Sequence, residues 1–184
     1  MPMKRKQNDS GFTMVELISV LIIVAIMSVY AIGQLNFTSV FSQKGVYDKL
    51  RAGLEYAGKA AVAQRRYVCV CVGSTCATAN SATFTVDTQS PDTVGATFCG
   101  NAASQVPLTL PAPDRDCGGA SNAVCSKSNA TIAPAGGVSS FKFNPQGQAS
   151  ASVGITVTGQ NNLTGSVCGG TVSVCVNGVT GYVQ

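Results

Sequence analysis

Residues 11–32 read Gly11-Phe-Thr-Met-Val-Glu16-Leu-Ile-Ser-Val-Leu-Ile-Ile-Val-Ala-Ile-Met-Ser-Val-Tyr-Ala-Ile32, and the rest of the chain is arranged around them. From Phe12 to Ile32 there are 21 residues with a single charge, Glu16. A helix of that length spans about 31 Å at ~1.5 Å per residue, enough for the ~30 Å hydrocarbon core of a bilayer. Lys4, Arg5 and Lys6 lie just ahead of it. Basic residues on a short N-terminal flank hold that side in the cytoplasm, so the remainder of the chain is expected outside. Glu16 is the anomaly. A carboxylate inside a membrane segment costs roughly 2.5–3.5 kcal/mol, less near the interface. Either an ordinary signal anchor carries an incidental Glu, or the carboxylate has a purpose.

Outward from this stretch, 184 residues suggest one globular domain with appendages. The expected divisions are a leader at 1–11, a transmembrane helix at 12–32, an amphipathic helix at 33–67 and a β-rich domain at 68–184. The leader holds three basic residues and one acidic residue, so its removal lowers the formal net charge from +4 to +2. Beyond Tyr67 the charges are Arg115, Lys127 and Lys142 against Asp87, Asp92, Asp114 and Asp116. That balance argues against a broad electrostatic footprint for nucleic acid. The eight cysteines, Cys69, Cys71, Cys76, Cys99, Cys117, Cys125, Cys168 and Cys175, all follow the apolar run. An even count in a translocated part favours disulfides. Free buried thiols or a zinc site are the alternatives, and with no His and no paired C-x-x-C motif zinc would need Cys or carboxylate ligands. Cys117 with Cys125 and Cys168 with Cys175 are the preferred local pairs. Cys69 and Cys71 are expected on opposite faces of a strand and not bonded to each other.

In the amphipathic helix, Val40, Val46, Tyr47, Leu50, Leu54, Ala57 and Ala61 recur at helical spacing and are expected to pack on a sheet. Asp48 with Arg51 and Glu55 with Lys59 stand at spacings that suit ion pairs. Gly45 and Gly53 weaken the helix, each by about 1 kcal/mol relative to Ala. Arg65 and Arg66 suit the C-terminal end of the dipole. Strand patterns follow at 68–72, 82–86, 138–143, 149–157 and within 167–176, and Asn177-Gly178 signals a hairpin. The Pro-, Gly- and Ser-rich stretch 90–134 reads as an irregular insertion tied by disulfides.

Catalytic chemistry is not in evidence. The absence of His excludes Ser–His–Asp and Cys–His arrangements. No phosphate-binding glycine loop or dinucleotide fingerprint occurs. Asp114-Arg115-Asp116 could contribute to a calcium site, but three residues do not define one. No enzyme activity, cofactor or metal is expected.

Gly11-Phe12-Thr13-Met14-Val15-Glu16-Leu17, behind its short basic leader, resembles the processing site of type IV prepilins and type II secretion pseudopilins. The resemblance implies that prepilin peptidase cuts between Gly11 and Phe12 and that the new Phe12 amine is methylated. It also implies that Glu16 is neutralised in the filament by the Phe12 ammonium of a neighbouring subunit. The physics fits, since pairing relieves the penalty of an isolated buried charge. Many pilins have Pro where this chain has Gly33, so the helix break expected there must come from Gly33 or be absent. The helix ending Ala63-Gln-Arg-Arg66, the stretch Phe141-Lys-Phe-Asn-Pro-Gln-Gly147 and the late hairpin with Thr180-Gly181 resemble the FimT/FimU and GspH branch of minor pilins and pseudopilins. That implies an α+β fold, a long N-terminal helix packed on a small antiparallel sheet or on two.

Three functions are expected from these readings. The first is a structural minor pilin that initiates or caps a type IV pilus, at low copy near its tip. The second is a GspH-like pseudopilin of a type II secretion system. The third is a tip module gripping DNA or a surface. Some FimT-like proteins are linked to DNA uptake through basic residues near the C-terminus, whereas here Thr180-Gly-Tyr-Val-Gln184 has none. The expected partners are prepilin peptidase, other pilins or pseudopilins, and the inner membrane before assembly. The expected location is a single pass with the outer domain in the periplasm, then a filament.

Overall fold

The computed structural model describes residues 12–34, 37–74, 76, 80–126, 130–159 and 173–184, with only the backbone described at 30–34 and 37–41. The leader with Gly11, the turn region 160–165, Lys127 and Cys168 lie outside the described residues, as does the side chain of Val40. The chain divides into two compact units, Met1–Phe37 and Thr38–Gln184.

The first unit is the helix α1, Met14–Gln34. Thr13 begins it: its carbonyl accepts from the amides of Glu16 and Leu17, and its Oγ1 accepts from the Glu16 N–H at 3.3 Å. A hydroxyl at this position satisfies one of the orphan donors of the first turn. The backbone stays helical through Gly33 to Gln34, so of the two alternatives at Gly33 the break is absent. A glycine keeps its amide and can propagate a helix, which a proline cannot do without losing a hydrogen bond.

The second unit opens with α2, Phe37–Gln64. Its end has a defined cause. Arg65 adopts φ 51°, the Arg66 N–H reaches back to the Ala61 carbonyl and the Arg65 N–H to that of Val62. This is the double hydrogen bond of a left-handed helix terminus, usually built on Gly. Two antiparallel sheets follow. In the first, β3 (Gln105–Pro107), β2 (Ser81–Asp87), β1 (Val68–Gly73) and β6 (Ser140–Phe143) lie side by side, with β4 (Ala123–Cys125) also on β2. In the second the order is β5 (Ala130–Ala135), β7 (Val153–Gly159), β8 (Ser173–Val176). The hairpin signalled by Asn177-Gly178 is present: Val176 bridges Val183, and the Asn177 carbonyl accepts from Gly181.

The core lies between α2 and the sheets. Val46, Leu50, Leu54, Ala57 and Ala61 are buried, with Tyr47 packed at the margin, so the expected stripe is the packed face wherever its side chains are described. Strand alternation supplies the other wall: Val68, Val70 and Val72 of β1, Phe84 of β2, Phe143 of β6, and Ile155 and Val157 of β7 are fully or almost fully buried. α2 touches both sheets. Gln43 donates to the Val157 carbonyl at 2.8 Å, while Gly53 lies against the Phe84 ring.

Several expectations are corrected. The segment 90–134 is tied by disulfides and irregular over most of its described length, but not over all of it. It contains β3, β4, two single 3-10 turns (Ala102–Ser104 and Arg115–Cys117) and most of β5. These strands are short and pair with β2 and β7, partners distant in sequence, so no local alternation announces them. Pro134 within β5 is tolerated because among the described residues β5 is an edge strand of its sheet, pairing with β7 alone. Among the described residues the ion pairs within α2 are Lys44–Asp48 and Arg51–Glu55, at 3.0 and 3.1 Å, rather than Asp48–Arg51 and Glu55–Lys59. Arg66 donates to the Thr88 carbonyl and, at 3.1 Å, to that of Gln89, so it fastens a loop as well as ending a helix. Cys69 and Cys71 share one face of β1, because residues two apart on a strand point the same way.

Candidate functional site

The candidate site is the start and circumference of α1. Every large apolar side chain described from Phe12 to Val29 is between 52% and 83% exposed. Val20, Leu21, Ile22, Ile23 and Val24 are consecutive, and at ~100° per residue they point in every direction around the axis. A helix apolar all round needs cover, from a bilayer or from other helices. Among the described residues no helix is long and apolar enough to cross a membrane. The described side chains of α1 end at Val29, about 22 Å from Met14 at ~1.5 Å per residue, whereas its backbone continues to Gln34.

Glu16 is the one acidic residue in the first turn of this helix and is exposed. It stands three residues after Thr13, the spacing at which an acidic side chain and a hydroxyl cap a helix start together. A carboxylate in the first turn also complements the positive end of the helix dipole. Thr13 is the residue that sequence reasoning passed over. The T-x-x-E pattern was the available signal.

The cysteines form the bonds Cys69–Cys99, Cys71–Cys76 and Cys117–Cys125. Cys175 is also disulfide-bonded, and the partner expected for it, Cys168, lies outside the described residues. Cys69, Asp87 and Cys99 place potential ligand atoms within 4.8 Å of one another. The two sulfurs are bonded to each other, and the Asp87 carboxylate accepts from the N–H groups of Gln89 and Cys99 at 3.0 and 2.7 Å. The cluster is therefore a loop anchor rather than a set of thiolate ligands.

Asp114 and Asp116, the acidic pair that does not by itself define a calcium site, face a side chain of α2. Lys49 of α2 takes the place a cation would need, 2.7 Å from Asp114 and 3.8 Å from Asp116. Asp114 also accepts from the N–H groups of Cys125 and Asp116. Burial pushes its carboxyl up, but the Lys49 ammonium and these two amides outweigh burial and hold it below the ordinary value. Beside the Cys117–Cys125 bond, it fastens this segment to α2.

The family model described as the prokaryotic N-terminal methylation motif matches residues 6–32. The minor pseudopilin EpsH of the Vibrio cholerae type 2 secretion system shares the fold. The match covers 78% of this chain and 94% of EpsH, with 9% identity and a TM-score of 0.51. The chain carries the methylation motif and has the fold of this pseudopilin. The type IV minor pilin FimU of Pseudomonas aeruginosa also aligns, at 17% identity over 80% of this chain and 90% of FimU, with a TM-score of 0.49. No curated protein sequence matches the chain. The fold class is thus α+β, with an N-terminal helix and disulfide-tied antiparallel sheets.

Proposed function

We propose that this chain is a structural, non-catalytic subunit of a type IV pilus, cut by prepilin peptidase after Gly11, methylated at Phe12 and carried into the filament by α1. The observation that carries this reading is the exposed, all-round apolar helix that begins at the methylation motif. Before assembly the inner membrane covers that helix, with the second unit in the periplasm; afterwards the helices of other pilins do. Glu16, one turn from the new N-terminus, then offers its charge to the Phe12 ammonium of a neighbour. In hydrocarbon an unpaired carboxylate costs several kcal/mol, so a subunit gains when it enters in register.

Low copy number near the tip is part of the proposal. Its support is that EpsH, which shares the fold, is described as a minor pseudopilin. The segment 90–134 adds little support, since short strands within it pair into the two sheets. The likeness to EpsH also favours a second reading, a pseudopilin of a type II secretion system. Deleting the chain separates the two, abolishing surface pili in the first case and protein export in the second. DNA binding at a tip has no support beyond the resemblance.

Glu16→Ala tests the assembly role. The variant is expected to reach the membrane and be processed as the wild type is, yet to be depleted about tenfold or more from isolated filaments, as follows from losing some 1.4 kcal/mol or more of pairing. Quantitative mass spectrometry of those filaments reads both quantities. Normal incorporation of the variant would sink the role of Glu16, and a wild-type chain more abundant than every other pilin would make it a shaft subunit.

A further inference from the structure

The outer face of the first sheet, turned away from α2, carries a second arrangement that filament assembly does not use. Register places Lys142, Cys69 and Thr85 in one row across β6, β1 and β2, and Ser140, Cys71 and Thr83 in the next. The inward residues of the same strands are Val, Ala and Phe, so the polar set follows from alternation. Two disulfides rise from this face, Cys69 to Cys99 and Cys71 to Cys76, and pin the segments that flank it. The result is a cleft of about 580 Å³, within the range of small-ligand sites.

The wall at Cys99 is held by four independent fasteners. Asp87, fully buried, accepts from the Cys99 N–H. Phe98 stacks on Tyr67 with ring centroids 4.1 Å apart. Lys142 Nζ donates to the Phe98 carbonyl at 3.3 Å. The fourth is the Cys69–Cys99 bond itself. A loop held at so many points keeps its shape without a ligand, which lowers the ordering cost of binding one.

The lining narrows the ligand. Lys142 is its one charged residue among the described residues, and none of the ion pairs found there involves Lys142. The hydroxyls of Thr83 and Ser140 have no protein partner among the described residues. Phe98 borders the cleft. A divalent cation would lack carboxylate ligands, and a nucleic-acid strand would need several cations. An apolar ligand would strand the hydroxyls and the ammonium. A hydroxylated molecule with a single carboxylate satisfies all three features. The geometry points to a site for an acidic saccharide, its carboxylate on Lys142, its hydroxyls on Thr83 and Ser140, and its apolar face against Phe98.

Calorimetric titration of the full chain, in a detergent without a sugar headgroup, tests this. The probe is galacturonic acid, which carries one carboxylate, and the control is uncharged galactose. The acidic probe is expected to bind in the millimolar range or tighter, with the neutral one about tenfold weaker, since a charge-assisted contact is lost. Lys142→Gln should weaken the acidic probe by about tenfold. Because Lys142 also holds Phe98, Thr83→Val serves as the second variant. It makes no fastening contact and should weaken both sugars. No binding of the acidic probe, equal binding of the two sugars, or unchanged binding by both variants overturns the proposal.

Discussion

Asp114 shows what a single residue contributes here and why no sequence pattern announces it. Its side chain is 2% exposed while its partner Lys49 is 48% exposed, so the pair is half wet and its attraction partly screened. With Lys49 and two amides on one carboxylate, Asp114→Asn is expected to cost about 2 kcal/mol at neutral pH, in the range of hydrogen bonds to charged groups. The sign of the pH dependence follows from the depressed carboxyl. The stabilisation is fully present above the unfolded value of ~3.9 and is lost as pH falls through the folded value. Urea unfolding of both proteins from pH 7 downward should show their difference constant to about pH 4 and shrinking below it. A difference that grows on acidification would contradict the assignment. Glu16, by contrast, was legible at once, because one charge in an apolar run needs no partner to be noticed. Asp114 meets Lys49 across 65 positions of sequence, and no local pattern connects them.

At the scale of elements, helical and strand periodicity carried most of what could be read. α2, β1, β2 and the final hairpin lie close to their expected positions, because each has its own alternation or turn signal. The three-residue strands β3 and β4 did not, since their identity depends on pairing with β2. The two glycines of α2 show how packing decides what propensity cannot. A Cβ at Gly45 would meet nothing within 4 Å, whereas at Gly53 it would lie 3.1 Å from the ring tip of fully buried Phe84, with Val124 behind at 3.6 Å. Gly45→Ala is therefore expected to stabilise the second unit by up to about 1 kcal/mol through helix propensity alone. Gly53→Ala is expected to destabilise it by about 1 kcal/mol, because overpacking outweighs the same gain. Thermal unfolding of the two variants should move in opposite directions, and a rise for both would show that Phe84 has room to yield. Gly53 is a point of close approach between helix and sheet, not a defect in the helix.

The whole molecule joins a unit that buries its own core to a helix whose apolar side chains are exposed on all sides. The first property suits a stable outer domain, and the second has no purpose in water. Composition and hydropathy made that contrast visible before any coordinates. The capping role of Thr13 and the shared face of Cys69 and Cys71 were legible in the T-x-x-E spacing and in strand alternation, whereas the cleft above the two cysteines required three dimensions, because it depends on strand register and on where the disulfides lead. The central claim is that the helix is released for assembly by a cut ahead of it. It is tested most directly by mass spectrometry of the N-terminal peptide of the chain isolated from its native envelope. The account predicts a peptide that begins at Phe12 and is one methyl group heavier than its sequence requires. A chain that still begins at Met1, or one cut after α1 as an ordinary secretory signal would be, contradicts it.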